Sequence, residues 1–272
     1  MEEVAASVKY GFFRKLKVWF GRPPVLIYTM GKVGSSSIAI SLRARGVAEV
    51  QPHSLTWVRK GSYFVSPNLS VLGEIFYSGK TALIRAKLTC FKLINRIIRR
   101  RIKIICIYRD PIARNISAFF EQYSYVLDGD INSLPTPEVL DCFWMYARHD
   151  TPLDWFEREL KKSFGVDIFS VPFDRLRGYG VLRQGYRDVL LLTMEKMREN
   201  ETVIGEFLGL QAFHITPANR AERKHYATAY NAFKRELVIS EAYAEKMYAS
   251  PVVRYFYSDE DILKFRRRWK IR

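Results

Sequence analysis

The chain has 272 residues, 48% hydrophobic and 26% charged, the composition of a globular protein with enough chain to bury a large core. No apolar run approaches the roughly 20 residues that span a bilayer, and an N-terminus with Glu2, Glu3 and no long apolar segment argues against a secretory signal. The formal net charge of +16 favours an anionic partner (a phosphorylated nucleotide, an acidic polysaccharide, anionic lipid or nucleic acid) without choosing among them.

Residues 8–20 place Val8, Phe12, Leu16, Trp19 and Phe20 at helical spacing between Lys9, Arg14, Lys15 and Lys17. Residues 1–22 therefore read as a basic amphipathic helix that packs on the rest of the chain, with peripheral contact to an anionic membrane as the alternative. Pro23-Pro24 ends it and opens residues 23–272, expected to form one domain. A strand over Val25–Met30 runs into a Gly-Ser loop and a helix over Ser35–Arg45, closed by Gly46, and Val47–Gln51 reads as the next strand. This is a βαβ beginning. Residues 56–80 suit an irregular surface excursion, followed by a strand at Thr81–Ile84, a basic helix at Phe91–Arg100 and a strongly apolar strand at Lys103–Tyr108.

Pro111 fits the first turn of a helix running to about Tyr125. Further helices are predicted around Pro137–Arg148, Pro152–Lys162, Thr202–Leu208 and Glu222–Tyr248, with strand-like pieces at Val181–Arg183 and Asp188–Thr193. The expected fold class is α/β, with a central, mainly parallel sheet and a helical C-terminal half. Cys90, Cys106 and Cys142 lack metal or redox spacing, and Cys106 lies within an apolar strand pattern, so a buried free thiol and a reducing, cytoplasmic setting are expected.

Two segments carry chemistry. In the first, the strand ending at Met30 meets Gly31-Lys32-Val33-Gly34-Ser35-Ser36-Ser37 at the start of a helix. Unpaired N–H groups and the helix dipole favour an anion there; the glycines let the backbone approach it, Lys32 adds positive charge and the serines add donors. The nucleoside-triphosphatase pattern G-x-x-x-x-G-K-[ST] is not matched, because Lys32 precedes the second glycine and no Lys-Ser/Thr pair follows. In the second, the strand ending at Tyr108 delivers Arg109-Asp110-Pro111, and Ser117 follows eight positions after Arg109. Arg109 would stand at the C-terminal edge of the sheet, where open α/β folds bind ligands, and an arginine with a nearby hydroxyl can grip one phosphate.

Together these segments resemble the paired elements of the sulfotransferase superfamily, which use 3'-phosphoadenosine 5'-phosphosulfate (PAPS). The loop form is more similar to carbohydrate sulfotransferases and bacterial relatives than to the cytosolic branch. The resemblance implies a P-loop-type three-layer fold and a 5'-phosphosulfate held by Gly31, Lys32, Val33, Gly34, Ser35, Ser36 and Ser37, with Lys32 on the bridging and sulfuryl oxygens. Arg109 and Ser117 would take the 3'-phosphate. Lys224 with Tyr226 would close over the nucleotide, and 3'-phosphoadenosine 5'-phosphate (PAP) would be the product, with no metal required. A narrower resemblance links Leu153–Leu160, Pro172-Phe173-Asp174 with Gly178-Tyr179, Leu190–Met197 and Tyr255–Glu260 to a bacterial family labelled for capsular polysaccharide synthesis. It implies polysaccharide biosynthesis and supports the fold and donor more than any acceptor: a carbohydrate or glycoconjugate hydroxyl is expected, with polysaccharide, glycolipid and small-molecule hydroxyls all open. The expected setting is the cytoplasm, with contact at the inner membrane surface through residues 8–20 as the alternative.

The acceptor hydroxyl needs a base. His53 follows the second strand and should emerge at the same sheet edge as the loop, so it is the candidate, with Glu74 as the fallback. Arg85 and Lys87 could line an acceptor channel, whereas His149, His214 and His225 share no spacing and read as structural. Two rival classes stand beside the sulfotransferase reading: a nucleotide-dependent phosphotransferase, and a non-catalytic polyanion binder. No nucleic-acid motif is present.

Overall fold

Strand β3 (Ile102–Tyr108) reads IKIICIY and is buried along nearly its whole length. Such a continuous apolar run belongs to a strand covered on both faces, at the centre of a sheet. In the computed structural model, which describes residues 23–54, 89–90, 93, 97, 100–126, 130–218 and 224–271, β3 does lie in the middle. The other strands are β1 (Val25–Ile27), β2 (Glu49–Val50), β4 (Phe173–Asp174), β5 (Tyr179–Gln184) and β6 (Arg187–Thr193). Their order is β2-β1-β3-β6-β5-β4. The pairs β2–β1, β1–β3 and β3–β6 are parallel, while β6–β5 and β5–β4 are antiparallel. The expected mixed α/β architecture is present, with an antiparallel extension on one side. The N-terminal helix, the excursion at 56–80, the strand at Thr81–Ile84 and most of the helix at Phe91–Arg100 lie outside the described residues, as do Glu74, Arg85 and Lys87.

Strands β1, β3 and β6 each lead into a helix. Helix α1 (Ser35–Ala44) follows β1 and turns off at Gly46, whose φ of +67° turns the chain back so that the Val47 N–H reaches the Leu42 carbonyl. Helix α2 (Pro111–Val126) follows β3 and starts on Pro111, as expected. Next come α3 (Thr136–Tyr146) and α4, a helix over 151–164 with a π-helical stretch at Phe156–Lys161. After β6 come α5 (Glu201–Leu208), α6 (Ala227–Glu236), α7 (Glu241–Tyr248), α8 (Pro251–Phe256) and α9 (Asp259–Arg268).

The predicted single helix at Glu222–Tyr248 is in fact two helices, α6 and α7. Leu237 turns extended after α6, and the Ser240 hydroxyl accepts the Tyr243 N–H to start α7. The sequence Val238-Ile239-Ser240 explains the break: two β-branched residues fit a helix poorly, and serine competes as a cap. Serine caps also start α8 and α9, where Ser258 and Asp261 form a reciprocal capping box that the sequence reading did not use.

The C-terminal helices close onto the end of β3. Tyr108 stacks on Phe256 with centroids 4.5 Å apart, and Cys106 is a buried free thiol. Asp110, with no exposed surface, accepts the Ile112 N–H (3.1 Å), the Tyr248 hydroxyl (3.1 Å) and the Trp269 indole N–H (2.9 Å). Burial pushes its carboxyl pKa up, against the pull of these donors and of Arg268. Removing the acceptor strands several buried donors, so Asp110→Ala should cost about 2–4 kcal/mol in urea unfolding. An unchanged midpoint would show that α7 and the Trp269 end of the chain are held by other contacts.

Candidate functional site

Because β1 and β3 are adjacent and parallel, the loops that leave their C-terminal ends emerge together. A cavity of about 840 Å³ opens there. Gly31, Lys32, Gly34, Ser35, Ser36 and Ser37 line one side of it, and Arg109, Arg114, Ser117 and Glu121 from the β3–α2 segment line another. His53, after β2, also reaches the wall. The rest of the wall comes from the chain after β6 (Met194, Glu195, Met197, Arg198, Glu199) and from Ile215, Pro217 and Ala218.

The two loops are joined by hydrogen bonds. Arg109 Nη1 donates to the Lys32 carbonyl at 2.9 Å, and Arg114 Nε donates to the Gly31 carbonyl at 3.3 Å. The turn is tight: Lys32 has φ +72° and Gly34 φ +81°, left-handed conformations that glycine accepts freely and lysine does not. Side chains brace the start of α1. Gln51 Nε2 donates to Ser35 Oγ at 2.5 Å, and the Ser37 and Ser41 hydroxyls accept the Ala218 and Thr216 N–H groups at 3.1 and 2.8 Å. These last two bonds fix the 215–218 segment to the helix that opens on the loop.

Glu121 is the charge centre. Its Oε2 accepts from Lys32 Nζ at 3.0 Å, from the Tyr226 hydroxyl at 3.1 Å and from Lys224 Nζ. Burial disfavours its charge, but the two ammonium groups prevail and hold its pKa at about 2. Burial lowers the pKa of Lys32, and Glu121 works against that shift.

His53 has a defined tautomer. Its Nδ1 lies 3.0 Å from the Thr29 carbonyl, which can only accept, so the neutral ring carries its proton on Nδ1 and leaves Nε2 as the acceptor. Crowding by protein pushes its pKa below the usual imidazole value; Arg114 and Lys32 add to the shift and the Thr29 bond opposes it. The segment is clamped from α4, where Trp155 Nε1 donates to the His53 carbonyl (2.9 Å) and Glu159 accepts the Ser54 hydroxyl (2.7 Å) and the Tyr28 hydroxyl (2.5 Å). Glu159 sits within the π-helical stretch, a deviation that recurs where a helix must present particular side chains.

Lys32, His53, Arg109 and Ser117 thus face one cavity, with Gly31, Gly34 and the three serines beside them. Val33 is fully buried in the core and is absent from the wall. Lys224 is not on the wall but reaches the site through Glu121. His149 bonds the Tyr243 hydroxyl at 2.6 Å, His214 pairs with Glu201 at 2.8 Å and His225 packs on Tyr226, all away from the cavity wall. Among the described residues, no three His, Cys, Asp or Glu side chains gather as a metal site.

Sequence reasoning missed Glu121, Arg114 and the Met194–Glu199 wall. All three had signals. Arg114 is three residues before Ser117 and Glu121 four after it, hence on the same helical face, and Met194 follows a predicted strand at the ligand-binding edge.

A family model, NKWYS, described as "Putative capsular polysaccharide synthesis protein", matches residues 145–258. No curated protein matches the chain, and no solved structure does. The matched stretch covers α4 with Trp155 and Glu159, strands β4–β6, the parts of the cavity wall at 194–199 and 215–218, and Lys224 with Tyr226. Lys32, His53, Arg109, Ser117 and Glu121 precede it. The match therefore includes part of the cavity wall and the clamp behind His53, while the loops at 31–37 and 109–117 lie outside it.

Proposed function

We propose that the protein is a PAPS-dependent sulfotransferase that moves a sulfuryl group to a hydroxyl of a carbohydrate or glycoconjugate. One observation carries this: the Gly31–Ser37 loop and the Arg109/Ser117 segment, separate in sequence, line the same cavity and are bonded through Arg109 and the Lys32 carbonyl. A ligand with two separated anionic ends matches two cationic loops at one sheet edge. The first loop, with Lys32 and the serine hydroxyls, would hold the 5'-phosphosulfate, and Arg109 with Ser117 the 3'-phosphate. Met194, Met197, Ile215 and Pro217 give an apolar wall on which a flat base can lie. The carbohydrate acceptor is supported by the family description over residues 145–258. The three free cysteines favour a cytoplasmic setting. No helix among the described residues is long and apolar enough to cross a membrane, so contact with the inner membrane surface, if the acceptor is a glycolipid, would fall to residues 8–20.

In-line transfer asks the protein mainly for positioning and charge stabilisation. Lys32 would neutralise charge growing on the bridging oxygen as the sulfur–oxygen bond to the nucleotide breaks; losing one such donor costs about 100–1000-fold in rate. His53 Nε2 would take the proton from the acceptor hydroxyl as its oxygen bonds to sulfur, and PAP would leave. Glu121, an anion down to a pH of about 2, is a poor base and serves the lysines instead.

Isothermal titration with PAP against AMP should show about 10–100-fold tighter binding of the 3'-phosphorylated nucleotide. Arg109→Ala should remove most of that preference. Equal affinities in the native protein would contradict the assignment of Arg109 and Ser117.

The pH dependence follows from His53. Protonation of Nε2 at low pH removes the base, and the depressed pKa places that loss below the ordinary value near 6.5. The acid limb of kcat/KM for sulfuryl transfer should therefore have its midpoint under about pH 6.5. His53→Gln should abolish that limb and lower the rate about 100–10,000-fold. A limb that survives the substitution would assign the base elsewhere.

A further inference from the structure

The cavity already contains an anion made by the chain itself. Glu121 stands one helical turn beyond Ser117 on α2, so the helix that presents the Ser117 hydroxyl also presents a carboxylate to Lys32. Two lysines from distant parts of the sequence, Lys32 and Lys224, converge on one oxygen of that carboxylate, together with the Tyr226 hydroxyl. This is a poor site for a purely structural ion pair. Lys32 and Glu121 both keep part of their side-chain surface on the cavity, at 22% and 31% exposure, where an incoming anion can compete. Ion pairs this accessible add little to stability.

We propose that Glu121 is a built-in counter-anion: its carboxylate occupies the position on Lys32 that an anionic group of the nucleotide donor takes, and the donor displaces it. The identity of that donor rests on the sulfotransferase reading; the displacement itself needs only an anion. Exchange explains why a carboxylate lies in a phosphate-binding cavity at all. With no anion present, Lys32, Lys224 and Arg109 would face one another without compensation. Glu121 balances that charge until a ligand replaces it, and Lys224 with Tyr226 remains to hold the released carboxylate. The same competition weakens the grip on the product, which still carries a 5'-phosphate. Glu121 is thus a positioning residue that sets donor and product affinity.

The test compares the full-length native protein with Glu121→Gln and Glu121→Asp, titrating PAP and, separately, inorganic pyrophosphate. The glutamine variant should bind both ligands about 3–10-fold more tightly, and the aspartate variant, with its carboxylate withdrawn by one methylene, should fall between. Glu138→Gln, which neutralises an exposed carboxylate on α3, should leave both affinities within about twofold, since single surface charges are largely screened. Equal or weaker anion binding by both Glu121 variants would overturn the proposal, and so would equal tightening by Glu138→Gln. Tighter pyrophosphate binding by Glu121→Gln with no binding of PAP to any form would uphold the counter-anion and remove the PAPS reading.

Discussion

The parallel pairing of β1 with β3 positions everything at the site. Leu26 is in register with Ile104 and Ile27 with Ile105, so the two strands finish at the same edge and release their loops side by side. Parallel strands of one sheet bring C-terminal ends together whatever the sequence distance between them, and ligands of open α/β sheets bind at that edge. Here the consequence is the 2.9 Å bond from Arg109 to the Lys32 carbonyl, between residues 77 positions apart. Slipping the register by one residue would turn the apolar faces of β3 over and carry Arg109 away from the loop.

The second half of the chain completes what these loops begin. Through Glu195, whose carboxylate accepts the Asp110 N–H at 3.0 Å and the Tyr257 hydroxyl at 2.5 Å, the wall after β6 is tied to the end of β3 and to the C-terminal helices. Burial raises the Glu195 pKa, and its donors hold it down. Tyrosine hydroxyls recur in this role: Tyr248 reaches Asp110, Tyr226 reaches Glu121 and Tyr243 meets Asn115. The stretch matched by the polysaccharide-synthesis family model supplies these tyrosines, which suits a part that supports and encloses a cavity whose remaining wall comes largely from residues 31–37 and 109–121.

What could be read from sequence was what local pattern encodes. The strand–Gly-Lys-Val-Gly-Ser–helix turn, the apolar β3 with Arg109 at its end and Pro111 opening α2 all depend on nearest neighbours in the chain. The antiparallel strand β4 and the helix α8 were missed because they are only two and six residues long, and α9 because its Ser258–Asp261 capping signal went unused. The break between α6 and α7 was misread because helical spacing continues across Val238–Ser240 even though the backbone does not. Arg114 shares a helical face with Ser117 and Glu121, but only tertiary structure shows that it is buried, at 2% exposure, and donates to the Gly31 carbonyl. The convergence of Lys32 and Lys224 on Glu121 is likewise a fact of folding that no window of sequence contains.

A crystal structure of the full chain with PAP bound tests the shared site most directly. The 3'-phosphate should lie within hydrogen-bond distance of the Arg109 guanidinium and the Ser117 hydroxyl, the 5'-phosphate against the N–H groups at the start of α1, and Lys32 should have left Glu121 for the nucleotide. A nucleotide seated in another cavity, or one that touches the Gly31–Ser37 loop while its 3'-phosphate points away from Arg109, would contradict the assignment.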